Sequence, residues 1–193
     1  IIQLDPDSNR LEVIKTSGEI GVDQGYLSSP ESIEYPTTDG LTAFALYYPV
    51  RNKNHYGPAD EKPPLLVVSH GGPTGAAGTS FSMTYQFWTS RGIAVLDVNY
   101  GGSTGYGTEY RRKLNGQWGI VDIDDCVNGE DYLVERGDVD GDRLMIRGGS
   151  AGGYTTLAAL TFRDVFKVGA SYYGVSDLEG LATETHKFES RYL

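Results

Sequence analysis

Four short apolar runs, separated by segments of helical character, constrain this chain most. They are Leu65-Leu66-Val67-Val68, Ile93-Ala94-Val95-Leu96-Asp97-Val98, Leu144-Met145-Ile146 and Val168-Gly169-Ala170-Ser171-Tyr172. Continuous apolar runs of this length suit strands buried on both faces of a sheet. Helices are predicted between them at 81–91, 106–114, 121–136 and 151–162. Strands that alternate with helices predict an α/β domain whose sheet is mostly parallel, with helices on both faces. Upstream, period-two alternation predicts a strand at 10–15. Two further strands, at 32–35 and 41–48, flank the turn Thr38-Asp39-Gly40. No internal repeat or low-complexity segment interrupts the pattern.

Length and charge narrow the functions available. A chain of 193 residues fits one domain with a sizeable core. Its formal charge of −10 repels phosphate backbones, so nucleic acid is not an expected partner. No apolar run approaches the roughly 20 residues of a membrane helix, and no membrane association is expected. Cys126 is the only cysteine, which excludes an internal disulfide and fits a reducing compartment. It is expected to be a small, half-buried hydrophobe. Ile1-Ile2-Gln3-Leu4-Asp5-Pro6 has neither a basic n-region nor a long apolar h-region, so no signal peptide is expected. A cytoplasmic location is the expectation. An initial Ile in place of Met hints at something upstream.

The strongest chemical signal is Arg147-Gly148-Gly149-Ser150-Ala151-Gly152-Gly153-Tyr154. Gly148-x-Ser150-x-Gly152 matches the nucleophile elbow, with an apolar strand before it and a helix-compatible run after it. Such a serine sits on a strained strand-to-helix turn that projects its oxygen above the sheet edge. Glycines on both sides avoid a Cβ clash where strand and helix pack tightly. The helix N-terminus behind Ser150 offers N–H groups and a positive dipole end to an oxyanion. The second signal, Ser69-His70-Gly71-Gly72-Pro73, directly follows a buried strand. In an α/β-hydrolase an H-G-G segment there supplies one oxyanion donor, and the N–H of the residue after the nucleophile, here Ala151, supplies the other. His70 precedes the serine, whereas the base of this fold follows it, so His70 is not the expected base.

Three other stretches carry less. Asn99-Tyr100-Gly101-Gly102-Ser103-Thr104-Gly105-Tyr106-Gly107 lacks the G-x-G-x-x-G register of a dinucleotide site and is expected to line the cleft. Asp138-Val139-Asp140-Gly141-Asp142 has no closing Glu and reads as a solvated turn, not a calcium loop. His55, His70 and His186 show no metal-ligand spacing.

Taken in order, these stretches resemble the prolyl oligopeptidase family of serine peptidases, in its acylaminoacyl-peptidase and dipeptidyl-aminopeptidase branch. The likeness runs from about Ser28 to Leu193. It is strengthened by Ser29-Pro30-Glu31, Asp39-Gly40-Leu41, the Gly119 to Asp125 stretch, Tyr173-Gly174-Val175-Ser176-Asp177-Leu178 and Thr185-His186-Lys187-Phe188-Glu189-Ser190-Arg191-Tyr192. The resemblance implies an α/β-hydrolase fold over 28–193, incomplete at its C-terminus. It implies that residues 1–27 are the end of an upstream β-propeller and its linker. It also implies Ser150 as the nucleophile and the N–H groups of Gly72 and Ala151 as the oxyanion hole. Val175 and Phe188 would line the apolar pocket for the residue before the scissile bond.

The implied substrate is a short peptide or acyl-peptide, with no metal and no organic cofactor. The triad order of this fold is Ser, Asp, His, and Asp177 and His186 come too early for it. The resemblance therefore places the Asp and His in a segment beyond Leu193. Alone, the chain would be inactive and would leave a sheet edge unpaired. Where the family's loop often reads Asn-Tyr-Arg-Gly, this chain has Gly101 in the arginine's place. A carboxylesterase on the same fold and a non-catalytic binding module are the alternatives.

Overall fold

The computed structural model describes all residues except 17, 19, 186 and 188–193. Near the N-terminus β1 (Ile2–Asp5) and β2 (Arg10–Val13) form a two-stranded antiparallel sheet. Both strands are exposed along their length. The sequence pattern indicates β2 but not its partner β1.

The main sheet has six strands in the order β3-β4-β6-β5-β7-β8. These are β3 (Glu31–Pro36), β4 (Thr42–Tyr48), β5 (Leu65–Ser69), β6 (Ala94–Asn99), β7 (Leu144–Gly149) and β8 (Val168–Tyr172). The β3–β4 hairpin turns at Asp39, whose φ of 60° lies in the left-handed region. β4 then joins β6 antiparallel. β6, β5, β7 and β8 run parallel, as expected of apolar runs joined by helical crossovers. The crossovers contain α1 (Met83–Thr89), α2 (Thr108–Arg112), α3 (Val121–Glu135) and α4 (Ala151–Phe162). A further helix, α5 (Leu178–Glu184), follows β8 and was not expected. Its signal was present: Asp177 occupies the N-cap and accepts from the Gly180 N–H at 2.9 Å.

Alternation along each strand sends side chains to two cores. On one face Val67, Leu96 and Ile146 pack with Ile123 and Leu133 of α3 and Ala158 and Ala159 of α4. On the other Leu66, Val95 and Tyr48 pack with Tyr85 and Trp88 of α1. The sheet is thus helix-covered on both faces, as the sequence predicts. Two expectations need correction. β8 is exposed throughout instead of buried on both faces. It lies at the sheet margin, pairing only with β7 among the described residues, beyond the reach of α1. Cys126 is fully buried, not half-buried, because it faces the first core; burial pushes its thiol well above the usual range.

Helix α3 buries three carboxyl groups as well as its apolar stripe. Asp125 accepts from the Thr37 hydroxyl and the Gly101 N–H, each at 2.6 Å. It therefore ties the β3–β4 hairpin to the loop after β6. Asp122 accepts from the Gly119 N–H at 2.6 Å and the Thr155 hydroxyl at 2.5 Å, tying α3 to α4. Glu130 is different. It is 2% exposed, and its Oε2 has no partner among the described residues. Burial pushes its carboxyl up to about 8, and neighbouring Asp131 adds to the rise.

An unfolded chain gives up this proton near the ordinary glutamate value of ~4.3, whereas the folded chain keeps it. The stability Glu130 contributes is therefore present below that value and lost as pH rises towards 8. Glu130→Gln keeps the shape without the titration. Calorimetric scans at pH 5 and pH 8 should show a smaller fall in Tm for the variant than for the parent, and a higher Tm at pH 8. Parallel pH profiles would refute this account.

Candidate functional site

The turn between β7 and α4 places Ser150. Gly148 is so close to the Gly152 carbonyl that a Cβ there would collide with it. Only glycine fits where the strand bends back over its own helix. Ser150 takes the strain, with φ 57° and ψ −122° at the N-cap of α4. Backbone bonds hold it there. Its N–H donates to the Tyr172 carbonyl at 3.1 Å, and its carbonyl accepts from the Val175 N–H at 3.2 Å and the Tyr154 N–H at 3.1 Å. The residue is exposed, and its Oγ has no hydrogen-bond partner among the described residues. Ala151 behind it is 2% exposed. As the first residue of α4 it has an N–H with no intrahelical acceptor.

The loop after β5 lies against this turn. β5 and β7 are adjacent and parallel, with Ser69 paired to Gly148. A Cβ added to Gly71 would stand 3.3 Å from the Gly149 carbonyl and 3.5 Å from Ser150 Cβ. A Cβ added to Gly152 would collide with the Ser69 and His70 carbonyl oxygens. Gly72 adopts φ 130°, a conformation side chains rarely take, and its N–H is unpaired among the described residues. The loop that carries Gly72 and the turn that carries Ala151 thus meet backbone to backbone beside Ser150.

The loop is braced from beneath. Tyr100 is fully buried, and its hydroxyl donates to the His70 carbonyl at 3.1 Å and the Pro73 carbonyl at 2.9 Å. The His70 ring stacks on Tyr100 with centroids 4.4 Å apart. Its Nδ1 is 2.8 Å from the Gly71 carbonyl and its Nε2 2.8 Å from the Ser103 hydroxyl. Both ring nitrogens are thereby engaged, and burial holds the imidazole below its usual pKa. The glycine-rich stretch after β6 supports the same loop: Thr104 N–H donates to the Gly75 carbonyl at 2.9 Å, and Asn99 Oδ1 accepts from the Ala77 N–H at 2.8 Å. At Gly101 a Cβ would be 3.0 Å from Val121 and 3.1 Å from Lys113, so these side chains occupy the space beside it.

Of the residues expected at the site, Ala151 follows Ser150 directly, Gly72 follows Gly71, which lies against Ser150, and Val175 donates its N–H to the Ser150 carbonyl. Phe188 and His186 lie outside the described residues. The Asp177 carboxylate caps α5. In the acidic turn Asp140 accepts from the Asp142 N–H at 2.9 Å and pairs with Arg143 Nε at 2.6 Å. Sequence reasoning assigned no role to Tyr173, which is 86% exposed with its ring 3.1 Å from the Cβ position of Gly149. Its φ of 43° turns it there, and no local signal marks a positive φ on a tyrosine. A cleft of about 710 Å³ between residues 50–57 and the end of α1 includes none of these residues.

The contact at Gly152 can be tested by Gly152→Ala. The added methyl meets two backbone carbonyls that cannot move aside singly. Overpacking costs about 1–3 kcal/mol even where side chains can give, so a loss at or above that range is expected in urea melts. An unchanged midpoint would mean that the β5 loop is not held against the turn.

A profile of the prolyl oligopeptidase family matches residues 79–193. The chain is 39% identical over 129 residues to dipeptidyl aminopeptidase BIII of Pseudoxanthomonas mexicana, covering 66% of this chain and 19% of that protein. A crystal structure of puromycin hydrolase superposes with a TM-score of 0.92 at 44% identity, over 99% of this chain and 29% of that one. A puromycin-hydrolyzing peptidase of Mycobacterium tuberculosis gives 0.92 at 45% identity, over 100% of this chain and 30% of that one. The chain therefore spans less than a third of the length of these relatives.

Proposed function

The chain belongs to the prolyl oligopeptidase family, and on that premise we propose that it carries the nucleophile and oxyanion hole of a serine peptidase acting on short peptides. One observation carries this reading. Ser150 is an exposed serine in a strained conformation at the N-terminus of α4, with Gly71, the residue before Gly72, against it. Ser150 Oγ attacks the scissile carbonyl carbon while a general base takes its proton. The N–H groups of Ala151 and Gly72 donate to the oxygen as it becomes negative, and the dipole of α4 favours that charge. Collapse expels the amine and leaves an acyl-enzyme on Ser150, which water then hydrolyses.

Both ring nitrogens of His70 are engaged, and Asp177 caps α5 through its Oδ1. The proposal therefore assigns those roles to residues beyond the described ones, in the order Ser, Asp, His. Val175 and Phe188 are proposed to line the pocket for the residue before the scissile bond. Residues 1–27, with the exposed β1–β2 pair, are proposed to end an upstream propeller. The names of the relatives support substrates with a short N-terminal portion, either free or acylated.

The test is made in the full-length gene product. Ser150→Ala should lower kcat on an aminoacyl or acyl-aminoacyl anilide by about 10⁴-fold or more, and abolish labelling by a fluorophosphonate. Turnover that survives Ser150→Ala would overturn the assignment. Faster hydrolysis of a matched ester than of the anilide, with equal loss in Ser150→Ala, would redirect the reading to an esterase.

A further inference from the structure

The cleft of about 710 Å³ beside the end of α1 continues into a second one of about 520 Å³. Asn52, Ser90 and Arg91 line both, so the two form one groove. Its halves differ in chemistry. Arg51, Lys53 and His55 line the larger half, whereas Val22, Met83 and Phe87 line the smaller. Among the described residues lining the groove, none is an Asp or Glu. In a chain with 26 acidic residues against 16 Lys and Arg, the groove is a local reversal of charge.

Arg91 stands at the junction of the two halves. Its guanidinium lies 3.9 Å from the centroid of the Phe87 ring, and its Nη1 donates to the Phe87 carbonyl at 3.1 Å. Its Nε and Nη2 have no partner among the described residues, and the Arg51 guanidinium has none either. Lys53 differs: it pairs with Asp23 at 2.6 Å, which neutralises its charge locally. The walls are held in place without a ligand. Buried Gln86 accepts from the Ser28 N–H at 2.7 Å and donates to the Ser28 carbonyl at 3.0 Å, which fastens the segment carrying Val22 to α1. Asn52 Nδ2 donates to the Ser90 carbonyl at 2.8 Å, and the Arg51 N–H donates to the Thr89 carbonyl at 3.1 Å. Those bonds fasten the cationic wall to the end of the same helix.

A guanidinium with free N–H groups takes a carboxylate through paired hydrogen bonds, and exposed Met83 and Phe87 offer apolar surface beside it. Volumes of this size suit a small molecule. We propose that the groove is a second ligand site, for an amphipathic carboxylate whose head meets Arg91 and Arg51 and whose hydrocarbon tail lies on Phe87, Met83 and Val22. The site is separate from the chemistry at Ser150. Tyr48, just before the cationic wall, pairs with Val95 at the start of β6. Ser150 follows the end of β7, which is level with Ser69 and Val98 at the other end of the sheet. The groove therefore stands whether or not Ser150 is the nucleophile.

The experiment titrates the full-length gene product with decanoate, decanamide and acetate by calorimetry, below the concentration at which decanoate forms micelles. Saturable binding of one decanoate per chain is expected. Decanamide keeps the tail without the charge and should bind at least tenfold more weakly. Each CH₂ removed from the tail should weaken binding about threefold, so acetate should give no signal. Arg91→Gln and Arg51→Gln should each weaken decanoate about tenfold, and Phe87→Ala should weaken it while leaving the preference for carboxylate over amide. Arg112→Gln removes one exposed charge elsewhere and should bind as the parent does, as should Ser150→Ala. All these side chains are exposed, and a thermal melt of each variant checks that it folds. Absence of decanoate binding overturns the proposal. So does decanamide binding as tightly as decanoate, or parental affinity in both arginine variants of the groove. An equal loss in Arg112→Gln would show a general charge effect, and a loss in Ser150→Ala would move the ligand to the other end of the sheet; either outcome also overturns it.

Discussion

The close approach of two backbones at Gly152 underlies the rest of the site. Its Cα lies against the Ser69 and His70 carbonyls with no space for a methyl group. The approach follows from topology. β5 and β7 are parallel neighbours paired Ser69 to Gly148, so the loops leaving their C-terminal ends emerge side by side. Two oxyanion donors must each reach one oxygen at about 3 Å, which demands that the loops carrying them nearly touch. Glycine at 71, 148 and 152 removes the side chains that would keep them apart.

Buried carboxylates hold these loops from the other side. Burial raises the pKa of Asp122 and Asp125, and their hydrogen bonds act in the opposite direction. Hydrogen bonds to a charged group contribute about 1.5–3 kcal/mol each, enough to offset part of the cost of burying it. Both residues accept two hydrogen bonds that join separate segments, and the Gly101 N–H bound by Asp125 follows directly on Tyr100. The brace under the loop after β5 is thus anchored to α3. Glu130 Oε2 has no such partner among the described residues.

The net charge of −10 plays no direct part in this chemistry. Ser150 stands at the N-terminal end of a 12-residue helix, whose first N–H groups have no intrahelical acceptor. Fixed dipoles of this kind need no reorganisation when charge develops, which is why rigidity in the loop matters more than charge nearby. At the sheet margin the situation differs: Val168, Tyr172 and Phe162 leave apolar surface exposed beside the outer edge of β8, which pairs with no further strand among the described residues.

Local rules made much of this legible. The apolar runs mark β5 to β8, and the glycine pattern around Ser150 marks the turn, because both depend on residues adjacent in sequence. Asp177 carried a cap signal for α5 that pattern reading passed over. Other features depend on which segments become neighbours. An apolar run says that a strand prefers burial but not whether a neighbour exists to cover it, which is why β8 is exposed where its sequence predicts burial. Tyr100 and His70 are 30 residues apart, and nothing in either segment announces that a hydroxyl from one will hold two carbonyls of the other. The sequence by itself determined the elements and the strained serine, since short-range sterics and hydrophobic periodicity act within a few residues. The tertiary structure alone decided the brace beneath the loop after β5, because strand order sets which side chain reaches which carbonyl.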